Sequence, residues 1–325
     1  WNDPSRAFAL DQLDQTRQDL AELKKTFNRD ELDDAHRLSY DLYIRQAENT
    51  LADDKWRLHS YPFNQMFGAQ SGIPTFMLNQ HPIKSEEDAR NYIARLNGVK
   101  DYLGGIVENA KKSADAGILP PLYVYDHVLR DVDNIMTGLP FDDSDELNLL
   151  MNDFKNKVGK LELSDEKKEE LYEAATTALV SSVGPAYQNL KSVLVAQQAV
   201  ATTDDGAWKL PDGAEFYAHR LKRMTTTDMS ADEIHELGLA EVARIHAEMR
   251  AIMKKVGFEG TLQEFFTHLK TDPKFVYEDS DAGRQAYLDE ATRIIDVMKG
   301  RLDDVFLKKP EADLEVRRVE AFREK

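Results

Sequence analysis

The sequence predicts a mostly α-helical protein, a long-helix array with one or two short strands or extended segments. Apolar residues recur at three- and four-residue spacing through most of the chain. Ser or Thr with an acidic residue three positions on precedes several of these runs, and Gly and Pro punctuate them.

The first helix follows Phe8, Leu10, Leu13, Leu20, Leu23 and Phe27, and a second runs from Leu38 to Leu58. Ser85-Glu-Glu-Asp88 reads as an N-cap with an acidic first turn. It leads into a helix carrying Tyr92, Ile93, Leu96, Val99, Leu103, Ile106 and Val107, which Gly117 and Pro120-Pro121 stop. Shorter helices fit residues 123–136 and 146–158. A long one opens after Ser164 and reaches about residue 200, with Gly184-Pro185 as a kink or break inside it. Residues 201–217 are rich in turn formers and mark the best internal boundary, giving helical domains over 1–200 and 201–325. Capping boxes at Ser230–Glu233 and Thr261–Glu264 start two further helices, and a last one fits 282–306. The pattern near Leu314 has strand-like alternation.

The net charge is −17, which repels nucleic acid and anionic lipid, and no basic cluster escapes that average. The chain has no cysteine, so disulfide scaffolds, thiolate zinc sites and cysteine nucleophiles are excluded. Its apolar runs fall short of the roughly 20 residues a membrane helix needs, so no transmembrane segment is expected.

His235-Glu236 imitates the start of a zinc-peptidase helix, but the position for the second His is Leu239. His246 returns to nearly the same face only about 16 Å along the axis, too far to share an ion whose bonds are about 2 Å. Both His lie on the shoulder of the apolar stripe Ile234, Leu237, Val242, Ile245, Met249, Ile252 and Val256, which reads as core-facing. No calcium loop, phosphate loop or nucleophile elbow is present.

The most unusual stretch lies between Arg57 and Lys84. Charged residues make up 31% of the chain, yet none falls there. Pro74 and the surrounding β-branched and aromatic residues predict an extended insert over about 58–83. It carries Asn64, Gln65, Gln70, Ser71, Asn79 and Gln80, and each buried amide costs about 1–3 kcal/mol if unpaired. Two readings stay open: a connector pinned by its own amides, or one wall of a cleft.

LSYDLYIRQAE (38–48), the segment from Tyr61 to Ile83, EEDARNYIARL (86–96), GPAYQNL (184–190) and above all 208–245 resemble the bacterial domain-of-unknown-function family 885. The likeness runs in order along essentially the whole chain. Members of that family are about twice this long. They are commonly exported, often as lipoproteins, and are grouped with zincin-like metallopeptidases. Their His-Glu-x-x-Pro-Gly-His-His box belongs to the half that follows the point matching Lys325.

The resemblance therefore implies an amino-terminal, substrate-channel half of a zinc-dependent peptidase, with no catalytic residue and no metal ligand in this segment. Zinc is implied for the full-length parent only. The implied partners are the missing C-terminal half and a peptide substrate, and the implied location is the periplasm or a lipoprotein anchor, with any signal lying ahead of Trp1. On this reading the side chains of Asn64, Gln65, Gln70 and Ser71 face substrate, and the strip pairs with its backbone by edge addition. Tyr217 and His219, in the segment from Trp208 that also carries Thr225–Thr227, are the second candidates; the plain alternative there is a turn feeding a helix. The competing functional readings are a helical exported binding or scaffold protein without enzymatic activity and a free-standing helical interaction domain. A large exposed apolar face would argue against the last.

Overall fold

The computed structural model describes residues 1–317. The chain divides into two compact units, Trp1–Ser230 and the part from Ala231 onward. The division thus falls at Ser230, and the turn-rich residues 201–217 stay within the first unit.

The first unit holds ten α-helices among the described residues: α1 (Arg6–Thr26), α2 (Asp34–Asp53), α3 (Ala69–Gln80), α4 (Glu86–Asn97), α5 (Val99–Asp115), α6 (Leu122–Ile135), α7 (Leu149–Val158), α8 (Asp165–Ala178), α9 (Gly184–Gln198) and α10 (Gly213–Thr225). Their starts follow local chemistry. Ser5, Asp33, Ser85, Asn148 and Ser164 each accept a backbone N–H of the first turn, supplying a partner that the helix itself lacks. Of the stripe read from the sequence, Tyr92, Leu96, Val99, Leu103 and Val107 are fully buried and Ile93 and Ile106 partly buried against the same core, and Gly98 divides the single helix expected there into α4 and α5. α5 packs along α9, which contributes Tyr187, Leu190 and Leu194. Each such aliphatic side chain contributes roughly 1.5–3 kcal/mol when removed from water.

Buried polar groups fix the helix junctions. Asn148 is fully buried; its Nδ2 donates to the Ile135 and Thr137 carbonyls at 2.7 and 2.8 Å, while its Oδ1 accepts the Leu150 N–H. One side chain thereby ends α6 and starts α7. The kink expected at Gly184-Pro185 takes the form of a π-helical turn, Leu179–Val183, joining α8 to α9. Within it, Ser182 Oγ donates to Asn97 O at 2.8 Å and accepts Lys100 N–H at 3.1 Å, locking the turn to the α4–α5 junction.

The extended insert is corrected by the structure. Residues 58–68 are irregular apart from short turns, but Ala69–Gln80 form α3, with Pro74 inside the helix. Pro74 has no N–H for the carbonyl four residues back, which is Gln70 O. The fully buried Tyr187 donates its hydroxyl to that carbonyl at 2.7 Å. The helix survives its proline because tertiary structure supplies the missing donor. Its buried residues Gln70, Ile73, Pro74 and Met77 do recur at helical spacing, but the polar Gln70 and the partly buried Phe76 and Leu78 blur that period in the sequence. The strands expected are reduced, among the described residues, to one isolated bridge between Leu139 and Leu147. The strand start expected near Leu314 runs into residues 318 and 319, outside the described residues.

The second unit contains α11 (Ala231–Lys255), α12 (Leu262–Thr271) and α13 (Asp281–Lys299). α13 is shorter than the 282–306 expected, because Gly300 takes the role of C-cap. Thr261 and Glu264 form the complete capping box read from the sequence. α12 packs on α11, and Phe258 stacks on His268 and tilts against Phe265. The stripe on α11 read as core-facing is largely exposed: Leu237, Val242 and Ile252 retain 51%, 50% and 52% of their accessible surface.

The proline-to-tyrosine exchange makes a test. Tyr187→Phe should cost about 1–2 kcal/mol by leaving Gln70 O unpaired. Pro74→Ala, which restores the local N–H, should recover much of that loss in the Tyr187→Phe background. Urea unfolding of the four variants measures the coupling; strict additivity would show that the two groups do not compete for one carbonyl.

Candidate functional site

Asn64 organises the irregular part of the uncharged stretch. Its Oδ1 accepts the Met66 and Phe67 N–H groups at 2.9 and 2.8 Å, and its Nδ2 donates to Tyr61 O. Gln70 Nε2 donates to Asn64 O at 2.7 Å and to Asp131 Oδ2 at 3.2 Å, and Ser71 Oγ donates to the same carboxylate oxygen at 3.4 Å. Three of the candidate residues, Asn64, Gln70 and Ser71, are therefore brought together, but on one another and on α6. Gln70 is fully buried and its Oε1 has no partner among the described residues. Gln65 is exposed and stands apart from them. Because α3 spends its backbone N–H groups within the helix, it offers no strand edge to which a peptide could add.

The far end of the stretch is equally structural. Lys157 Nζ donates to the Met77, Leu78 and His81 carbonyls at 2.9, 3.0 and 3.0 Å, and pairs with Asp153 at 2.8 Å. A single ammonium from α7 thus closes the α3 C-terminus, where cationic charge is favoured. Tyr92 donates its hydroxyl to Asp153 at 3.0 Å, and burial pushes that phenol far up. His81 is buried; Arg95 donates to its Nδ1, so its Nε2 carries the proton and donates to Asp88 O at 3.1 Å. Burial, with Arg95 and Lys157 nearby, lowers the His81 pKa.

α10 is docked on the end of α2. Asp53 accepts from His219 Nε2 at 2.6 Å and pairs with Arg223 at 3.0 Å. Buried Trp56 lies against Phe216 and His219, and His59 Nε2 donates to Pro211 O at 2.9 Å. Lys55 pairs with Glu215. His219 is turned into this joint, whereas Tyr217, two residues away, faces the other side. There it lines a cavity of about 460 Å³ with Gly206, Ala207, Trp208, Gly213 and Ala214. Trp208 is 71% exposed, and a methyl group on Gly213 would stand 2.1 Å from Ala207 O. The structure therefore separates the two candidates of this segment.

A larger cleft, about 950 Å³, lies where the start of α1, residues 54–69 and α5 meet. Pro62, Phe67, Tyr102 and Ile106 give it apolar walls, and Arg6, Asp54, Arg57 and Lys112 are its charged residues. One sequence signal pointed toward it: Leu58, Ser60, Pro62, Phe67 and Ala69 belong to the uncharged stretch, and Phe67 is 90% exposed. The other lining residues come from the chain's first residues, from Asp54 and Arg57 and from α5, with no motif of their own.

The profile of a bacterial protein family of unknown function, DUF885, matches residues 1–325. The chain belongs to that family. A crystal structure of a protein described as a "putative lipoprotein" from Colwellia psychrerythraea is similar over 78% of this chain, with 29% identity and a TM-score of 0.70. The match takes in 43% of that protein, so the DUF885 chain here spans less than half the length of its solved relative. No curated protein matches it. Among the described residues no group of three or more His, Asp or Glu side chains is placed to hold a metal ion. Nor is any helix among the described residues long and apolar enough to cross a membrane.

The His81 arrangement sets a pH dependence. Its folded pKa lies below the unfolded value of 6.5, so its contribution is fully present above that pH and is lost as pH falls through the folded pKa. Thermal midpoints measured from neutral pH down to about 5 should fall less for His81→Gln than for the parent protein. Equal falls would show that the imidazole does not titrate in this joint.

Proposed function

We propose that this chain is the amino-terminal, non-catalytic half of an exported zinc-dependent peptidase. The remaining half, on this reading, covers the apolar faces of α11 and α13 and carries the metal and the catalytic groups. The observation that carries the reading is the uncovered apolar surface of the second unit. On α11, Leu237, Val242, Ile245 and Ile252 are exposed, as is Val256 just past its end, and on α13 so are Ile294, Val297 and Met298. Within these two helices the described buried residues are Met253 and Gly283. Faces of this size ordinarily meet a partner surface. The greater length of the solved relative leaves room for such a partner in the same polypeptide, and its description as a lipoprotein supports export. The peptidase class itself rests on the resemblance of residues 208–245 and the other quoted segments.

A second reading, an exported helical binding protein, is favoured by the 950 Å³ cleft, which is formed within the first unit. One experiment separates them. The full-length natural product containing this chain should hydrolyse a labelled casein in the presence of zinc and lose that activity to a chelator, while residues 1–325 alone remain inert. Zinc-independent activity, or activity of residues 1–325 by themselves, would overturn the proposal. A full-length product that stays inert with zinc bound would favour the binding protein.

A further inference from the structure

We propose that the cleft between the start of α1, residues 54–69 and α5 binds a carboxylate that carries an apolar group. The inference concerns the first unit alone and does not depend on the peptidase reading.

Charge makes the first argument. The protein carries −17 overall, yet the side chains lining this recess include three cations and one carboxylate. That carboxylate is already committed. Arg6 grips Asp54 through two parallel N–H···O bonds, NH2 to Oδ2 at 2.8 Å and NH1 to Oδ1. The guanidinium holds the Asp54 carboxyl below its ordinary range, so the pair stays formed at neutral pH. Arg57 and Lys112 line the same recess, both exposed, and neither has a carboxylate within ion-pair distance among the described residues. The recess is thus left with uncompensated positive charge on a negative molecule. The 21-residue helix α1 also begins here: Ser5, its N-cap, and Arg6 line the recess, which adds the positive end of a helix dipole.

Shape makes the second argument. A volume of about 950 Å³ suits a small organic molecule rather than a bare ion. Pro62, Phe67, Tyr102 and Ile106 offer apolar walls, and nothing in the uncharged stretch competes with Arg57 or Lys112 for an anion. Positive charge at one part and apolar wall elsewhere select a ligand that is itself divided: a carboxylate joined to a hydrocarbon or aromatic body. A free aliphatic acid and the carboxyl end of a hydrophobic peptide share this chemistry.

The test is isothermal titration of the chain with decanoate and with acetyl-phenylalanyl-leucine, each beside its neutral amide. At least one acid should bind about tenfold more tightly than its amide, as expected for a charge-assisted contact. The acid that binds better identifies the source of the ligand. Arg57→Gln and Lys112→Gln should each reduce the preference for acid over amide, and the double variant should abolish it. Both side chains are exposed, so the thermal midpoint should not move. Failure of both acids to bind, equal binding of acid and amide, or an undiminished preference in the double variant would overturn the proposal.

Discussion

A proline inside a buried helix sets the first unit's central constraint. Pro74 cannot donate to Gln70 O, and the hydroxyl that takes its place belongs to Tyr187, 117 residues away in sequence. Since an unpaired buried carbonyl costs about 1–3 kcal/mol, α3 and α9 must lie in one register. With that contact made, the amide of Gln70 turns toward Asn64 and Asp131, Lys157 closes the other end of α3, and the loop from Tyr61 to Gly68 is held against the core. The absence of charge at Ile73 and Met77 follows: a charged side chain at either would be buried without a partner.

That constraint also shapes what surrounds it. The loop pinned by Asn64 presents Pro62 and Phe67 to the same cleft that receives Arg57 from one side and Lys112 from α5. Trp56, just ahead, anchors α10 through Phe216 and His219. So the uncharged stretch works as a spine: Asn64 and Gln70 turn their amides onto the fold, Gln65, Asn79 and Gln80 stay exposed, and the apolar side chains are divided between core and cleft.

The two units differ in how their apolar residues are used. In the first, stripes at helical spacing meet other helices and vanish from water, as in α5 against α9. In the second, stripes of the same spacing on α11 and α13 remain at the surface. A 25-residue amphipathic helix gains little from propensity alone and most of its stability from the face it buries. A face left open on that scale is what the proposed second half of the polypeptide would cover.

Much of the helical order was legible from local chemistry. Ser85, Ser164 and the Thr261–Glu264 box start helices because their side chains satisfy first-turn N–H groups, an effect confined to a few neighbouring residues. The stripe from Tyr92 to Val107 named its own buried face for the same reason. Helix α3 was not legible, because the donor that rescues Pro74 is supplied from α9. The cleft was not legible either, since Arg57, Phe67 and Lys112 share no spacing rule and meet only after α1, the loop and α5 have packed. Where a capping side chain marks the start, sequence by itself settled where a helix begins and which of its faces is apolar, since those depend on neighbours within a few turns. Only the tertiary structure decided which amides are spent, which apolar faces stay open and where uncompensated charge collects, because each depends on groups brought together across the fold.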